Sequence, residues 1–218
     1  MSASPNQRQG RKLRIDKVVT SGTFSLDGGT WDVDNNGWLI GDDEEVLVID
    51  AAHSAPPILA AIGHRKVVAI ACTHAHDDHV NVAAVVSLLT GAPILLHPDD
   101  EPLWQMTYPR RPHGDLGDGQ VIEVAGHPIH VFHTPGHAPG AVCFYSADLE
   151  ALFSGDTLFK GGPGATGRSY SDFDTMIGSI RTRLLVLPGR TTVHPGHGAD
   201  TSIGAEALGL QAWIKRGH

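Results

Sequence analysis

The sequence predicts an α/β fold in which β-sheets pack together and helices lie outside them. The chain has 218 residues, of which 41% are hydrophobic, so it is long enough to bury a core and has the composition of a globular protein. Its apolar residues recur in short runs, such as residues 46–49 and 67–72, that are typical of strands. Strand-like and helical segments follow one another in the order strands, helices, strands and helices, which favours a layered arrangement.

The first half of the chain begins with a predicted hairpin. Residues 13–20 and 31–40 are strand-like, and the turn between them carries Asp27, Gly28 and Gly29. The apolar runs that follow have the length of buried strands, and the segments between them are predicted to be helical. The predicted strands are 45–50, 66–72 and 93–97, and the predicted helices are 56–62, 80–89 and 99–106.

The second half of the chain returns to strands before it ends in helices. Gly126 and Asp148 each lie between two short apolar runs, which predicts two further hairpins. Residues 160–168 contain four glycines and one proline and are predicted to form an exposed loop. The predicted strands are 121–124, 129–132, 141–145, 151–154 and 191–194, and the predicted helices are 172–185 and a C-terminal helix from residue 203.

Composition and charge predict one domain with a small-molecule partner. Residues 1–11 are polar and are expected to form a flexible tail, which leaves residues 12–218 as a single domain. The start of the chain is not apolar and no run of about 18 apolar residues occurs, so we expect a cytoplasmic protein with no membrane partner. A net charge of −8 argues against binding to a nucleic-acid backbone, and the oligomeric state is left open.

A histidine-rich motif follows the predicted strand 66–72. The chain has 14 histidines, and histidine is the commonest metal ligand in proteins. His74 and His76 are two positions apart, so both imidazoles can reach one ion from the same side of an extended segment. Asp78 and His79 begin the following helix and point away from that pair, so they can start a second site. The motif therefore predicts two adjacent metal ions.

Three further segments that follow predicted strands carry side chains of metal-ligand type. They contain His137 in Thr-Pro-Gly-His, Asp156 in Ser-Gly-Asp-Thr and His197 in Pro-Gly-His-Gly. Loops at strand ends that are stiffened by proline and opened by glycine commonly present ligands. Each segment alone could be a surface histidine or a turn-forming aspartate, whereas together they predict one site. His133 and His194 precede two of these ligands and either hydrogen-bond around the site or pack within their strands.

In this order, the ligand-type residues resemble the motifs of the metallo-β-lactamase superfamily. The residues around them are similar to those of its glyoxalase II-like branch, the hydroxyacylglutathione hydrolases. The resemblance covers nearly the whole predicted domain. It implies an αβ/βα four-layer sandwich, with two mixed β-sheets packed face to face and helices outside. The roles that it implies are His74, His76 and His137 on a first metal, Asp78, His79 and His197 on a second, Asp156 bridging the two, and Asp50 supporting the ligands from behind.

The chemistry of this ligand set favours metal-dependent hydrolysis. Imidazole and carboxylate ligands suit zinc, and iron or manganese would be tolerated by the same set. A water molecule between two cations roughly 3.5 to 4 Å apart loses a proton near neutral pH and becomes a nucleophilic hydroxide. Asp78 is the predicted catalytic residue, because a ligating carboxylate has a second oxygen that can orient this hydroxide and carry its proton.

Further residues are candidates for binding the substrate. Glyoxalase II enzymes place a basic residue and a tyrosine on the loop after the bridging aspartate, where these hold the thiol carrier of the substrate. Lys160, Arg168 and Tyr170 lie on the matching loop, so the resemblance implies that they bind substrate, and solvated side chains on a loop are the alternative. His53 follows the turn at Asp50 and is predicted to border the pocket.

The resemblance favours a small thioester as substrate, namely an acyl or formyl adduct of glutathione or mycothiol. The commonest β-lactamases of the superfamily carry a cysteine where Asp156 stands, which counts against an antibiotic as substrate. Three alternatives remain open, because the fold does not choose a reaction. They are a lactonase that uses the same metals, a persulfide dioxygenase with a single iron, and a non-catalytic metal-binding protein.

Overall fold

Two six-stranded mixed sheets carry most of the secondary structure in a computed structural model that describes residues 12–217. The predicted tail, residues 1–11, lies outside the described residues. The strands of the first sheet, in their order across it, are β1 (Arg14–Leu26), β2 (Gly29–Gly41), β3 (Glu45–Ile49), β4 (Lys66–Ala71), β5 (Ile94–Leu96) and β6 (Gly114–Asp115). The first three strands pair antiparallel, and β3 to β6 pair parallel.

The second sheet is formed by the second half of the chain. The strands of this half are β7 (Val121–Val124), β8 (His127–His133), β9 (Val142–Ser146), β10 (Ala151–Gly155), β11 (Leu158–Phe159), β12 (Gly162–Pro163), β13 (Thr192–Pro195) and β14 (Thr201–Ser202). Their order across the sheet is β14-β13-β10-β9-β8-β7, while β11 and β12 pair with each other. Only β10 and β13 are parallel neighbours in this sheet.

Alternation along the strands explains why the two sheets pack face to face. Successive side chains of a strand point to opposite faces, so an apolar strand can feed two cores at once. Leu47 and Ile49 of β3 lie in one buried cluster with Phe144 and Phe153 of the second sheet. This cluster is the layer between the two sheets.

The helices cover the outer faces of both sheets. The α-helices are α1 (Ala55–Ile62), α2 (Asp77–Val80), α3 (Ala83–Thr90), α4 (Glu101–Thr107), α5 (Phe173–Ser179), α6 (Ile203–Ala207) and α7 (Leu210–Arg216). Val48 of β3 packs with Ile58 of α1, and Leu152 of β10 packs with Met176 of α5 and Trp213 of α7. The layers are therefore helix, sheet, sheet and helix. Within residues 12–217, no helix has both the length and the apolar character needed to cross a bilayer.

Several elements differ from the predicted boundaries. The first hairpin continues to a tight turn at residues 27–28, because Ser25 pairs with Thr30 and Leu26 with Gly29, all four outside the predicted strands. The predicted helix 80–89 is two helices, since the amide of Val82 donates to the carbonyl of Ala51 instead of continuing the helix. The predicted loop 160–168 contains β12, the predicted helix 172–185 ends in a π-helical turn, and the C-terminal helix is divided into α6 and α7.

Four loops at strand ends bring the predicted ligands to one edge of the sandwich. They follow β4 in the first sheet and β8, β10 and β13 in the second. Because β8, β10 and β13 run in the same direction, their carboxyl ends lie at the same edge. The candidate site thus lies at the seam between the two sheets.

Candidate metal centre

The first group of ligand-type side chains contains three buried histidines. His74 and His76 follow β4, and His137 lies in the loop after β8. Nδ1 of His76 lies 3.0 Å from Nε2 of His74 and 3.0 Å from Nε2 of His137. Three ring nitrogens from two loops therefore converge on one point.

The second group contains Asp78, His79 and His197. The Nε2 atoms of His79 and His197 are 3.3 Å apart, and Oδ2 of Asp78 lies 3.6 Å and 3.4 Å from them. Asp156 lies between the two groups. Its carboxylate oxygens lie 3.4 Å from Nε2 of His79, 3.4 Å from Nε2 of His197 and 3.6 Å from Nε2 of His137. All seven predicted ligands are thus brought together.

Four of these histidines donate their other ring nitrogen to an oxygen atom behind the site. Nδ1 of His79 donates to Asp50 at 2.8 Å, and Nδ1 of His197 donates to the carbonyl of Asp34 at 2.7 Å. Nδ1 of His74 donates to the hydroxyl of Thr73, and Nδ1 of His137 donates to the carbonyl of Ala165. A ring whose Nδ1 carries the proton presents the lone pair of Nε2, so these contacts direct lone pairs into the site.

Asp50 supports both ends of the ligand-bearing segment that follows β4. Its carboxylate accepts hydrogen bonds from the amide of Thr73 at 2.7 Å, from the hydroxyl of Thr73 at 2.8 Å and from Nδ1 of His79. The residue is buried at the end of β3 and does not belong to either ligand group. The structure therefore places Asp50 behind the ligands, and its supporting role stays a prediction.

The side chains of the site fit metal ions as residents. Nε2 of His79 and Nε2 of His197 lie 3.3 Å apart with the carboxylates of Asp78 and Asp156 beside them, an arrangement that a cation between them would stabilise. Oδ1 of Asp156 is buried and has no hydrogen-bond partner among the described residues, which a bound cation would remedy. Gly196 leaves room for the side chains of Asp156 and His79, because an added Cβ would lie too close to Oδ1 of Asp156 and 2.6 Å from the ring of His79.

Electrostatics differ between the two groups. Burial lowers the pKa of His76 to about 3 and lowers the pKa values of His74 and His137, so these rings are neutral, as metal ligands must be. Burial also opposes charge on His197, yet the carboxylate of Asp156 outweighs it and raises the pKa of His197 to about 10. The second group therefore attracts positive charge most strongly.

A pocket of about 130 Å³ opens over the ligands. Phe24 and Val33 give it an apolar wall, and Arg168, Ser169 and Ser171 give it a polar rim. The residues that line it, besides these five, are His76, Asp78, His137, Asp156, Ala165 and His197. The guanidinium of Arg168 lies over the rings of Trp31 and Phe24, at 3.8 Å and 5.0 Å from their centroids, so it is held at the rim by cation–π contacts.

The other predicted substrate residues lie elsewhere. Lys160 and Tyr170 are exposed and are not among the described residues that line this pocket. His53 is half-buried, and its imidazole contacts Asn35 and Asn81 instead of the pocket. Of these four predicted residues, only Arg168 lines the pocket.

Two polar residues of the site have no counterpart in the sequence predictions. Asn35 is buried in β2, and its Nδ2 lies 3.0 Å from Oδ2 of Asp78. Asp100 is buried, and its carboxylate accepts hydrogen bonds from the amides of Ala75 and Gly140, which belong to the two loops of the first group. One feature of the sequence could have indicated Asn35. Two adjacent asparagines lie inside a predicted strand, where asparagine is rare.

A separate cluster of ligand-type residues lies outside this site and contains His97, Asp99 and His133. The two imidazoles are stacked, with centroids 4.0 Å apart and planes 12° apart. Lone pairs in parallel planes do not converge on one ion, so this cluster is packing. His133 donates from Nε2 to the carbonyl of Pro139 in the loop of His137, whereas His194 packs against aromatic rings of the core.

Comparison with known proteins agrees with the observed fold. The family profile of the metallo-β-lactamase superfamily matches residues 30–201. The chain is similar to the hydroxyacylglutathione hydrolase GloC of Haemophilus influenzae, with 30% identity over 185 residues that cover 77% of this chain and 87% of the relative. It is also similar to the probable metallo-hydrolase YqgX of Bacillus subtilis, with the same identity and the same coverage.

A solved structure supports the same conclusion. The crystal structure of TTHA1623 in a di-iron-bound form has a TM-score of 0.73 and 33% identity, and the match covers 86% of this chain and 96% of the other. The predicted fold class is confirmed by this likeness and by the observed layers. The chain belongs to the metallo-β-lactamase superfamily, with the fold and the histidine and aspartate cluster of its metal-dependent hydrolases.

Proposed function

We propose that this protein is a binuclear metal-dependent hydrolase that cleaves small thioesters. The observation that carries the proposal is the pair of inward-facing ligand groups with Asp156 between them. In the proposed assignment, the first ion is held by His74, His76 and His137, the second by Asp78, His79 and His197, and Asp156 touches both. The donor chemistry favours zinc, and iron or manganese fits the same ligands.

The proposed mechanism divides the work between the ions and the chain. When bound, a pair of divalent ions supplies Lewis-acid activation of water and of the substrate carbonyl. Asp78 lines the pocket, and one of its carboxylate oxygens is proposed to take the proton of the attacking water and to deliver it to the thiolate that leaves when the C–S bond breaks. Asp50 keeps His79 in the tautomer that presents Nε2. The apolar wall of Phe24 and Val33 restricts access of bulk water to the reacting atoms.

A thioester of an anionic thiol carrier suits the pocket. Its volume of about 130 Å³ accommodates a small acyl group, and the guanidinium of Arg168 at the rim offers a cation for a carrier carboxylate. The relative named hydroxyacylglutathione hydrolase supports a thioester, although its identity of 30% leaves the carrier to experiment. Glutathione carries carboxylates that Arg168 could bind, whereas mycothiol carries none, so this contact favours a glutathione adduct, and a mycothiol adduct is the second proposed substrate.

Replacing Arg168 with alanine is expected to raise KM for an anionic thioester about tenfold or more, because a charge-assisted hydrogen bond is worth roughly 1.5 to 3 kcal/mol. The KM of Arg168→Lys is expected to lie between those of the wild type and Arg168→Ala, since lysine keeps the charge but not the planar contact with Trp31. Lys160→Ala serves as the matched control with the same charge change on an exposed residue. Steady-state kinetics on a glutathione thioester would measure these effects, and the KM for an uncharged mycothiol thioester is expected to change less. Equal KM values of all four proteins for the glutathione thioester would exclude Arg168 from substrate binding.

The experiment that tests the proposed function counts metals and products in one preparation. The protein is purified without added metal, its ions are counted by elemental analysis, and thiol release from glutathione and mycothiol thioesters is followed. About two ions per chain with thiol release would support the proposal. One iron with oxygen consumption would identify a persulfide dioxygenase, and ring opening of a lactone without released thiol would identify a lactonase. Bound metal without any product would indicate a non-catalytic metal-binding protein.

A further inference from the structure

We propose that Asn81, His53 and Asn35 form a hydrogen-bond relay that positions Asp78 within the second ligand group. The inference rests on the proposed function, because it assigns the relay to binding of the second ion. None of the three residues belongs to a ligand group among the described residues. His53 is therefore a positioning residue that acts through Asn35.

The relay fixes the orientation of each of its members in turn. The amide of His53 donates to Oδ1 of Asn81 at 2.6 Å, so the Nδ2 group of Asn81 faces Nδ1 of His53, at 3.3 Å, as a donor. Nδ1 of His53 is then the acceptor, and its Nε2 carries the proton. This Nε2 lies 2.8 Å from Oδ1 of Asn35 and donates to it.

The far end of the relay reaches the metal ligands. Because Oδ1 of Asn35 accepts from His53, its NH₂ group points the other way. That group lies 3.0 Å from Oδ2 of Asp78, 3.3 Å from Nε2 of His79 and 3.5 Å from Nε2 of His197. It contacts every member of the second ligand group. An inverted amide would instead place a carbonyl oxygen against the carboxylate of Asp78, which is repulsive.

The backbone around His53 is built to hold this ring in place. His53 has a φ of 58°, a left-handed conformation that is uncommon outside glycine, although histidine adopts it more often than most residues do. Gly22 of β1 lies directly against the imidazole, and an added Cβ there would come within 2.2 Å of Nδ1. The far member, Asn35, is buried. Strain and close packing of this kind persist where the surroundings determine one conformation.

Two substitutions at position 53 separate the hydrogen bond from the packing. His53→Gln can place an amide donor near the position of Nε2, so it is expected to keep the relay. His53→Asn is shorter and lacks a donor there, although asparagine tolerates the left-handed backbone better than most residues. We expect His53→Asn to weaken binding of the second zinc ion about tenfold or more while the first ion binds as in the wild type.

The measurement is a zinc titration of chelator-treated full-length protein, with thermal melting to verify folding of each variant. Asn81→Ala removes the opposite end of the relay and is expected to weaken binding of the same ion. Near-wild-type zinc affinity in His53→Gln together with weak second-site affinity in His53→Asn would support the relay. Wild-type affinity in both His53→Asn and Asn81→Ala would overturn it, as would equal losses in His53→Asn and His53→Gln.

A reference variant distinguishes failure of the relay from failure of the proposed function. His197→Ala removes one proposed ligand of the second ion and leaves the first group intact. If the wild type binds two zinc ions and His197→Ala binds one, the second site exists and the variants at positions 53 and 81 decide the relay alone. If the wild type binds only one ion, the proposed binuclear site is wrong and the relay falls with it.

Discussion

Asp78→Ala is expected to retain the fold, to bind one ion instead of two and to lose thioester turnover by about a thousandfold or more. A general acid or base contributes roughly 10²- to 10⁴-fold to a rate, and loss of the second ion would add to that deficit. Asp78 is buried and lies 3.4 Å from His197 in the second ligand group, so its removal alters both the ligand set and the proposed proton carrier.

The neighbouring aspartate provides the matched control. Asp77 is in the same helix and its carboxylate accepts from the amide of Ser25, but it belongs to neither ligand group. Asp77→Ala therefore removes the same charge and is expected to keep both ions and most of the activity. Elemental analysis and initial rates would test both variants, and a nearly normal rate in Asp78→Ala would refute the proposed role of Asp78.

Asp100→Ala is expected to lower the free energy of unfolding by about 2 to 6 kcal/mol. The side chain is fully buried, and its carboxylate accepts from the amides of Ala75 and Gly140. A buried N–H that loses its acceptor costs roughly 1 to 3 kcal/mol, and here two are affected. Chemical denaturation would measure the change, with Asp99→Ala as a control because that carboxylate is 59% exposed.

The effect of Asp100 is also expected to depend on pH. Burial raises the pKa of Asp100 to about 6, above its value in the unfolded chain. A raised pKa means that the folded state binds the proton more tightly. The contribution of protonated Asp100 to stability is therefore complete below the unfolded-state pKa of about 4, and it is lost as the pH rises through the folded-state pKa of about 6. The destabilisation by Asp100→Ala should consequently be larger near pH 5 than near pH 8, and the opposite order would contradict the raised pKa.

The sequence allowed the clustering of the seven ligand-type side chains to be predicted because their signals are local. His74 and His76 are recognisable by spacing, and Asp156 and His197 follow strands in short loops with glycine. Asn35 and Asp100 form hydrogen bonds with residues far along the chain, and no local sequence pattern predicts such contacts. Asn35 contacts Asp78 across 43 positions, and Asp100 contacts Gly140 across 40. Only the packing of the sheets reveals these roles.

The fold shows the same division. The layers and most strands could be predicted, since a short run of apolar residues is a local property of each strand. The break between α2 and α3 could not, because it depends on a hydrogen bond from Val82 to Ala51 in another loop. The tip of the β1–β2 hairpin is held by contacts of Asp27 with Ser169 and of Ser25 with Asp77. These contacts extend the hairpin through a stretch whose local pattern is weakly strand-like.

The position of the site at the seam between the sheets has a consequence for how the protein matures. His74 and His197 are separated by more than half of the chain, and each sheet alone offers an incomplete ligand set. Contacts between such distant segments form late, because closing a long loop costs entropy before any contact can offset it. We therefore expect a folding intermediate to have low affinity for ions, so that metal is acquired as the last step and then cross-links the two halves of the chain.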